Sequence, residues 1–155
     1  MSAMTNEFKY THDEARNLVE FQSVKKMLNL MKKSKDIKSF CAVVKQKTRK
    51  FKYLNYHEDD IDGSAYVFVN KKDGIVFKLG GTQIGSCPPV HAIPTVSGDA
   101  WNYIKFRIQP LADVSKKTVD KAMHFFENCT YEEVGDDLHH GNVGKYKGKF
   151  VVIDW

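Results

Sequence analysis

Apolar residues near the N-terminus recur every three or four positions and predict an amphipathic helix of roughly 20 residues. Thr11 and Glu14, three positions apart, have the spacing of a capping box at the start of this helix. The apolar positions that follow are Leu18, Phe21, Val24, Leu28 and Met31. Because these positions form one face, we expect the helix to pack on the rest of the domain or on another protein.

Shorter apolar runs further along the chain predict strands. Residues 65–69 and 75–79 are rich in β-branched and aromatic side chains, and the polar stretch between them ends in Gly74, so they predict a hairpin. Residues 37–44 and 51–56 are compatible with either a strand or a short helix, because runs this short do not determine the period.

Glycine and proline residues punctuate positions 80–98 and exclude a long helix there. A strand is predicted over residues 101–108 and ends at Pro110. Asp113 or Ser115 can cap a helix that follows and ends near position 129. The apolar positions of this helix are Val119, Ala122, Met123 and Phe126.

Two short apolar runs close the sequence. They lie around Val143 and over residues 150–153. The stretch between them, residues 144–148, begins and ends with glycine and predicts a turn.

The composition suits one compact globular domain. The chain has 155 residues, of which 42 % are hydrophobic and 28 % charged, close to the common domain size of about 100 to 150 residues. No apolar stretch approaches the ~18 to 20 residues of a membrane helix, and the N-terminus lacks the pattern of a signal peptide. We therefore expect a single domain over residues 1–155, no membrane partner and a cytoplasmic location.

Cysteine and histidine usage predicts no zinc site. Cys41, Cys87 and Cys129 lie far apart, fit neither a disulfide framework nor a zinc pattern, and agree with a reducing cytoplasm. We expect them to be core residues. His139 and His140 also lack a Cys or His partner at ligand spacing.

Basic charge is concentrated in residues 25–52, called the basic segment below. This segment contains eleven basic residues and one acidic residue, Asp36. Its local charge is therefore +10, in a chain of net charge +5. The basic residues are Lys25, Lys26, Lys32, Lys33, Lys35, Lys38, Lys45, Lys47, Arg49, Lys50 and Lys52. A solvated surface, an acidic protein partner and nucleic acid all fit this charge, since aromatic residues are interleaved with it. The absence of a known nucleic-acid motif favours the first two.

The residues best suited to chemistry lie in the last part of the sequence. Asp137 and Asn142 share a polar loop, and Asp154 follows twelve residues later after an apolar run. Two carboxylates and an amide can converge on a magnesium-bound triphosphate, because magnesium prefers hard oxygen ligands. The first carboxylate then orients or deprotonates an attacking hydroxyl. The alternative is a chance combination of a polar loop and a strand.

This region resembles the protein-kinase-like phosphotransferases, especially the branch with aminoglycoside and choline kinases. Their catalytic loop reads His-Gly-Asp-Leu-His-Pro-Gly-Asn before a strand that ends Ile-Asp-Phe. Residues 135–142 read Gly-Asp-Asp-Leu-His-His-Gly-Asn, and residues 152–155 read Val-Ile-Asp-Trp. Departures include Gly135, His140 and Trp155, where the family has His, Pro and Phe.

The resemblance implies a role for each matching residue. Asp137 would be the catalytic base, and Asn142 and Asp154 would be magnesium ligands. Upstream, Gly63 and Ser64 stand where the family has its glycine-rich loop.

Two further sites follow from the same resemblance. Lys78 stands on the strand that would carry the phosphate-binding lysine, although an ordinary surface lysine is the alternative. Gln109 and Leu111 would flank Pro110 at the adenine-binding hinge. Residues 79–126 contain no glutamate to hold this lysine. The alternatives for that place are Asp99, Glu14 and Glu20.

The fold implied by the resemblance is α+β, a minimal protein-kinase-like fold with an antiparallel N-lobe sheet and a truncated C-lobe. Residues 1–57 would hold the N-terminal helix and the basic segment, and residues 61–155 the kinase-like core. The sequence ends at Trp155, as in small phage-encoded, shortened kinase-like proteins; a longer chain cut at this point is the alternative.

The implied function is binding of ATP and magnesium (Mg2+), with phosphate transfer to a protein or a small hydroxyl compound. The location would be the host cytoplasm if the protein is phage-encoded. The alternative function is that of a non-catalytic, pseudokinase-like phage modulator, which binds an acidic host protein through the basic segment.

Overall fold

The computed structural model describes residues 8–47, 52–55, 65–80, 88–101 and 104–153. The chain forms two compact units: unit 1 combines Met1–Thr82 with Pro94–Gln109, and unit 2 combines Gln83–Ile93 with Pro110–Trp155. Helices and strands both occur, so the predicted α+β class is confirmed. The expected single domain stays a prediction.

Unit 1 is built on a six-stranded sheet in the order β1-β5-β6-β4-β3-β2. Its strands are β1 (Lys9–Tyr10), β2 (Lys52–Asn55), β3 (Ala65–Asn70), β4 (Ile75–Gly80), β5 (Val96–Trp101) and β6 (Ile104–Pro110). The pairs β1–β5, β2–β3, β3–β4 and β5–β6 are antiparallel. The first strand therefore pairs with a strand from the second half of the chain.

The N-terminal helix differs from its prediction. A 3-10 helix over Asp13–Glu20 precedes α1 (Gln22–Lys33), and Phe21 between them is extended, with φ −65° and ψ 134°. The Thr11 hydroxyl accepts a hydrogen bond from the Thr95 backbone N–H at 3.0 Å. The predicted capping box and continuous helix are therefore wrong, because Thr11 fastens the chain after β1 to the chain before β5.

The apolar face of this region is nevertheless in place. Leu18, Val24 and Met31 are buried in the core of unit 1, whereas Phe21 at the break is 38 % exposed. The apolar pattern therefore correctly predicted buried residues, although it did not predict the break in the helix.

Both ambiguous apolar runs now have a definite structure. The first is a helix, α2 (Ile37–Lys47), and the second contains strand β2. Asp36 precedes α2, and its Oδ1 accepts a hydrogen bond from the Ser39 backbone N–H at 2.8 Å. This hydrogen bond is the main cause that lowers the pKa of Asp36.

The hairpin predicted around Gly74 is confirmed. Strands β3 and β4 pair from Ala65 opposite Gly80 to Asn70 opposite Ile75. Within the turn, the Asp73 backbone N–H donates to Asn70 Oδ1 at 3.0 Å, and Asn70 Nδ2 donates to Asp73 Oδ2 at 2.9 Å. Side chains of the turn therefore hold its shape.

The strand predicted over residues 101–108 is two strands. Trp101 ends β5, and β6 begins at Ile104, so the predicted strand crosses from one to the other. The Trp101 indole Nε1–H donates to the Ser34 carbonyl at 2.8 Å, which gives this buried ring a polar partner. Strand β5 itself was missed, because Ser97, Gly98 and Asp99 interrupt its apolar run.

The core of unit 1 is rich in phenylalanine. Phe40, Phe68, Phe77 and Phe106 are fully buried. The rings of Phe77 and Phe106 stack with their centroids 6.1 Å apart, and Phe40 packs edge-on against Phe68 at 5.9 Å. These rings join α2 to the sheet.

Unit 2 is smaller and has its own core. It contains α3 (Lys116–Phe126), α4 (Tyr131–Val134), β7 (Val143–Tyr146) and β8 (Lys149–Val152). Its buried apolar residues are Val119, Ala122, Phe126, Val134, Val143 and Val152. The predicted apolar face of α3 is therefore confirmed at Val119, Ala122 and Phe126.

The two short C-terminal strands pair antiparallel, from Val143 opposite Val152 to Tyr146 opposite Lys149. Lys147 and Gly148 form the turn at φ values of 49° and 78°, in the region where glycine is favoured.

In the part of the chain that the structure describes, no helix is long and apolar enough to cross a membrane.

Candidate functional site

The Asp137 loop (residues 135–142) begins at the end of α4. Gly135 closes this short helix with φ 80°, and its backbone N–H donates to the Tyr131 carbonyl at 2.7 Å. A positive φ of this size favours glycine over residues with a β-carbon. The glycine at position 135 therefore has a local structural cause.

Asn142 closes the other end of the Asp137 loop. Its side chain is 1 % exposed, and Nδ2 donates to the Asp137 backbone carbonyl at 2.8 Å. The Asn142 backbone N–H donates to the His139 carbonyl at 2.9 Å. Asn142 thus fixes the backbone at Asp137 from inside unit 2.

The loop is also joined to the end of β8. The Ile153 backbone N–H donates to the Asn142 carbonyl at 2.9 Å. Ile153 immediately precedes Asp154 in the sequence, and Asp154 lies outside the described residues. The hydrogen bond therefore links Asn142 to the residue next to the other predicted magnesium ligand.

The Asp137 carboxylate faces solvent beside His139. The His139 Nε2 atom lies 3.5 Å from Asp137 Oδ2, and the two side chains are 55 % and 64 % exposed. His139 Nδ1 accepts a hydrogen bond from the Gly141 backbone N–H at 3.0 Å, which places the proton of a neutral ring on Nε2, toward Asp137. The predicted catalytic carboxylate is accessible and lies beside the His139 ring.

His140 connects the loop to α3. Its Nε2 lies 3.7 Å from Asp120 Oδ1, and both side chains are more than half exposed. The resemblance implies a proline at this position, which would restrict the backbone. The residue here is instead a histidine whose side chain contacts Asp120.

Lys78 lies in the middle of β4, in unit 1, opposite Val67 of β3, and is half-buried. Two of the acids that were alternatives for holding it contact other lysines. Asp99 Oδ1 accepts from Lys105 Nζ at 2.6 Å, and Glu20 Oε2 lies 3.7 Å from Lys25 Nζ. The role of Lys78 stays a prediction.

The predicted hinge residues lie where the chain passes from unit 1 to unit 2, between Gln109 and Pro110. Gln109 is 1 % exposed, and its Nε2 donates to Thr95 Oγ1 at 3.3 Å. Leu111 is 41 % exposed. The predicted phosphate-loop residues Gly63 and Ser64 lie outside the described residues.

The basic side chains of the basic segment are exposed wherever they are described. These exposed lysines are Lys25, Lys26, Lys32, Lys33, Lys35 and Lys38. The side chains of Lys45, Lys47, Arg49, Lys50 and Lys52 lie outside the described ones. The solvated-surface interpretation fits the described part of the segment, and a partner stays a prediction.

Sequence reasoning missed one cluster of groups in unit 2. A ring nitrogen of His91, the Cys129 thiol and a Glu133 carboxylate oxygen all lie within 4.8 Å of one another. Partial burial and then the Glu133 charge raise the pKa of the Cys129 thiol. Cys129 and Glu133 are four positions apart, but His91 is distant in sequence, so no spacing pattern connects the three.

No protein-family model, no curated protein and no solved structure matches the chain.

Proposed function

We propose that the protein binds ATP and magnesium through a minimal protein-kinase-like fold and transfers phosphate to a protein or a small hydroxyl compound. The closure of the Asp137 loop carries this proposal. The buried Asn142 amide holds the Asp137 backbone, and the Asn142 carbonyl is hydrogen-bonded to the residue before Asp154. A base and two magnesium ligands need this kind of mutual fixation to act on one phosphate.

The donor chemistry fits magnesium. Asn142 offers an amide oxygen and Asp154 a carboxylate, both hard ligands of the kind that magnesium prefers. The ion would neutralise charge on the phosphate oxygens. Asp137 needs to stay outside the metal shell to act as a base, and its exposure beside His139 agrees with that role.

The remaining roles belong to residues that the resemblance singles out. Lys78 would pair with the α and β phosphates as a point charge. Gly63 and Ser64 would cover the phosphates, and Gln109 and Leu111 would border the adenine. The chain passes between the two units at three positions, and Gln109 and Leu111 lie at the last of them.

Calorimetric titration of ATP with magnesium tests the binding part of the proposal. Asp154→Asn should weaken binding by about 10-fold or more, because it removes the main metal ligand. Asp136→Asn is the matched control, because Asp136 is exposed, directly precedes the proposed base Asp137 and is not one of the proposed magnesium ligands. Absence of ATP binding in the wild type, or equal binding in wild type and Asp154→Asn, would contradict the proposal.

Phosphate transfer from labelled ATP tests the catalytic part. Asp137→Asn should keep ATP binding and lose transfer to protein or small hydroxyl acceptors, because the amide cannot accept the proton. Equal transfer by wild type and Asp137→Asn would contradict catalysis by Asp137 and leave the nucleotide site standing.

The exposure of the basic segment favours one other candidate function, that of a non-catalytic modulator of an acidic host protein. Six exposed lysines lie on α1 and around the start of α2. Asp36 is the one acid within the basic segment, and Glu20, just before it, lies 3.7 Å from Lys25 Nζ. Long-range attraction between such a surface and an acidic partner is weakened by salt. This candidate function does not need ATP.

Four substitutions test this alternative: Lys32→Gln, Lys33→Gln, Lys35→Gln and Lys38→Gln. Combined, they should abolish salt-sensitive capture of an acidic partner. Replacement of Lys116, Lys117 and Lys121 by Gln is the control, because these exposed lysines lie on α3 of unit 2. Unchanged capture by the fourfold variant would contradict the alternative. A steep salt dependence on RNA or DNA would indicate nucleic acid instead.

A further inference from the structure

We propose that His91, Cys129 and Glu133 form a zinc site in unit 2, with three protein ligands and a fourth position for water. This site does not depend on the proposed kinase function, since none of the three residues belongs to the Asp137 loop. The ligand atoms of the three residues lie within 4.8 Å of one another.

The distances are close to those of a bound ion. A tetrahedral zinc ion with ligand bonds of about 2.0 to 2.3 Å holds its ligand atoms about 3.3 to 3.8 Å apart. Contraction by about 1 Å from the upper limit of 4.8 Å would bring the ligand atoms to these separations. Each of the three side chains is half-buried, so the cluster is neither sealed from an ion nor freely mobile in solvent.

The backbone holds His91 against α4. The His91 backbone N–H donates to the Glu133 carbonyl at 3.0 Å, and the neighbouring Val90 N–H donates to the Glu132 carbonyl at 3.1 Å. On its other side, the His91 carbonyl accepts from the Val152 N–H at 2.8 Å. His91 is therefore fixed to Glu133 and to β8 by main-chain hydrogen bonds.

The His91 ring is positioned by aromatic contacts as well. Its centroid lies 5.8 Å from that of Phe125 and 5.2 Å from that of Phe126. Cys129 lies three positions after Phe126, and its backbone N–H donates to the Phe126 carbonyl at 2.9 Å. The end of α3 thus sets both the histidine ring and the thiol.

Glu133 is oriented by the cap of α4. Its Oε1 accepts hydrogen bonds from the Thr130 backbone N–H and the Thr130 hydroxyl, each at 3.0 Å. A metal-binding carboxylate is commonly held in this way by donors outside the metal shell. The second oxygen of the carboxylate would bind the ion while Oε1 keeps its cap.

The donor set selects zinc over magnesium and calcium. A thiolate and an imidazole are softer ligands than the oxygen atoms that those two ions prefer. One Cys, one His and one Glu give three protein ligands, and three-ligand zinc sites keep a position for water. The expected ligand is thus a single zinc ion (Zn2+).

Cobalt substitution and competitive zinc titration test the site in the full chain under reducing conditions. With cobalt(II), we expect thiolate-to-cobalt charge-transfer absorption that zinc abolishes on addition. We also expect uptake of one zinc ion per chain and a higher melting temperature with zinc than with a chelator, because an ion that binds the folded state stabilises it.

Three ligand variants should each weaken zinc binding by about 10-fold or more. In Cys129→Ser the charge-transfer absorption should disappear. In Glu133→Gln the α4 cap should persist, because Gln also serves in a capping box, so the loss is not caused by misfolding. His91→Gln completes the set, and circular dichroism without metal checks that all three are folded.

Two variants serve as matched controls. Cys41→Ser removes a half-buried thiol of unit 1, and His124→Gln breaks an exposed His–Glu pair whose atoms lie 3.4 Å apart. Both should bind zinc like the wild type.

No zinc uptake by the wild type would overturn the site. Zinc affinity unchanged in Cys129→Ser, as expected if exposed histidines such as His139 and His140 were the ligands, would overturn it too.

Discussion

At the scale of single residues, Asn142 is the side chain on which the Asp137 loop depends. Its buried amide donates to the Asp137 carbonyl at 2.8 Å. Asn142→Ala should leave that carbonyl without its donor and lower the free energy of unfolding by about 1 to 3 kcal/mol. Denaturant unfolding measures the loss. Asn128→Ala, at an exposed position of the same unit, should cost much less. Equal losses in the two variants would contradict this role of Asn142.

We predict that the stability of the fold depends on pH through Asp113, which lies just before α3. Its carboxylate accepts from the Ser115 backbone N–H at 2.9 Å and from the Thr118 hydroxyl at 2.8 Å, and these bonds lower its pKa, the backbone bond most. Because the folded-state pKa is below the unfolded one, the stabilisation is complete above about pH 5. This stabilisation declines as the pH falls below the unfolded-state pKa of about 3.9. It is lost as the pH falls through the lower, folded-state pKa.

Asp113→Asn tests this dependence. Unfolding free energies of wild type and variant should differ most near neutral pH, and the difference should shrink as the solution is acidified. Thr118→Val removes one of the two donors and should give a weaker pH dependence than the wild type. A difference between wild type and Asp113→Asn that does not vary with pH would contradict the assignment.

Residue-level chemistry was the part of the candidate site most accessible from sequence. Asp137 and Asn142 are close in the chain, so their spacing in the loop already suggested that they act together. The zinc cluster was not accessible, because His91 reaches Glu133 through backbone hydrogen bonds between distant segments. Ligand spacing rules detect ligands on one turn or hairpin, and they miss ligands that tertiary contacts bring together.

At the scale of elements, the turn between β3 and β4 is fastened to α1 by one carboxylate. Asp73 Oδ2 accepts from Ser23 Oγ at 2.6 Å and from Asn70 Nδ2 at 2.9 Å, and both donor residues are buried. Asp73→Ala should leave two buried donors without this acceptor and lower the free energy of unfolding by about 1 to 3 kcal/mol.

A double-mutant cycle with Ser23→Ala isolates the contact between helix and turn. The coupling energy between positions 23 and 73 should be on the order of 1 kcal/mol, because the two side chains share one hydrogen bond. Lys72→Ala, at an exposed position of the same turn, should be neutral. Additive effects of Ser23→Ala and Asp73→Ala would show that the hydrogen bond does not stabilise the fold.

Elements were predictable where the signal is local. The hairpin around Gly74 and the face of α3 follow from patterns within a few residues, and both predictions were correct. The N-terminal helix was not predictable in its details, because Thr11 bonds to Thr95, far along the chain, and so is not available as a cap. The same limit explains why β1, paired with β5, was missed.

At the scale of the whole molecule, the α+β class was predicted through the family resemblance, but the division of the chain into two units was not predicted. The chain enters unit 2 twice, through Gln83–Ile93 and again through Pro110–Trp155. No Pro- or Gly-rich linker marks the second crossing beyond Pro110 itself, so composition alone favoured one domain. The strand order of the sheet was equally hidden, since it depends on which distant strands pair.

The separate cores of the two units predict separate local stabilities. Phe77 is fully buried in the core of unit 1, and Phe126 in that of unit 2. Either Phe→Ala substitution should cost about 3 to 5 kcal/mol, because it leaves a cavity. In native-state hydrogen exchange, Phe77→Ala should reduce protection chiefly in β3, β4 and β6, and Phe126→Ala chiefly in α3, β7 and β8. Equal loss of protection in both units from either variant would contradict this expectation and favour a single cooperative domain.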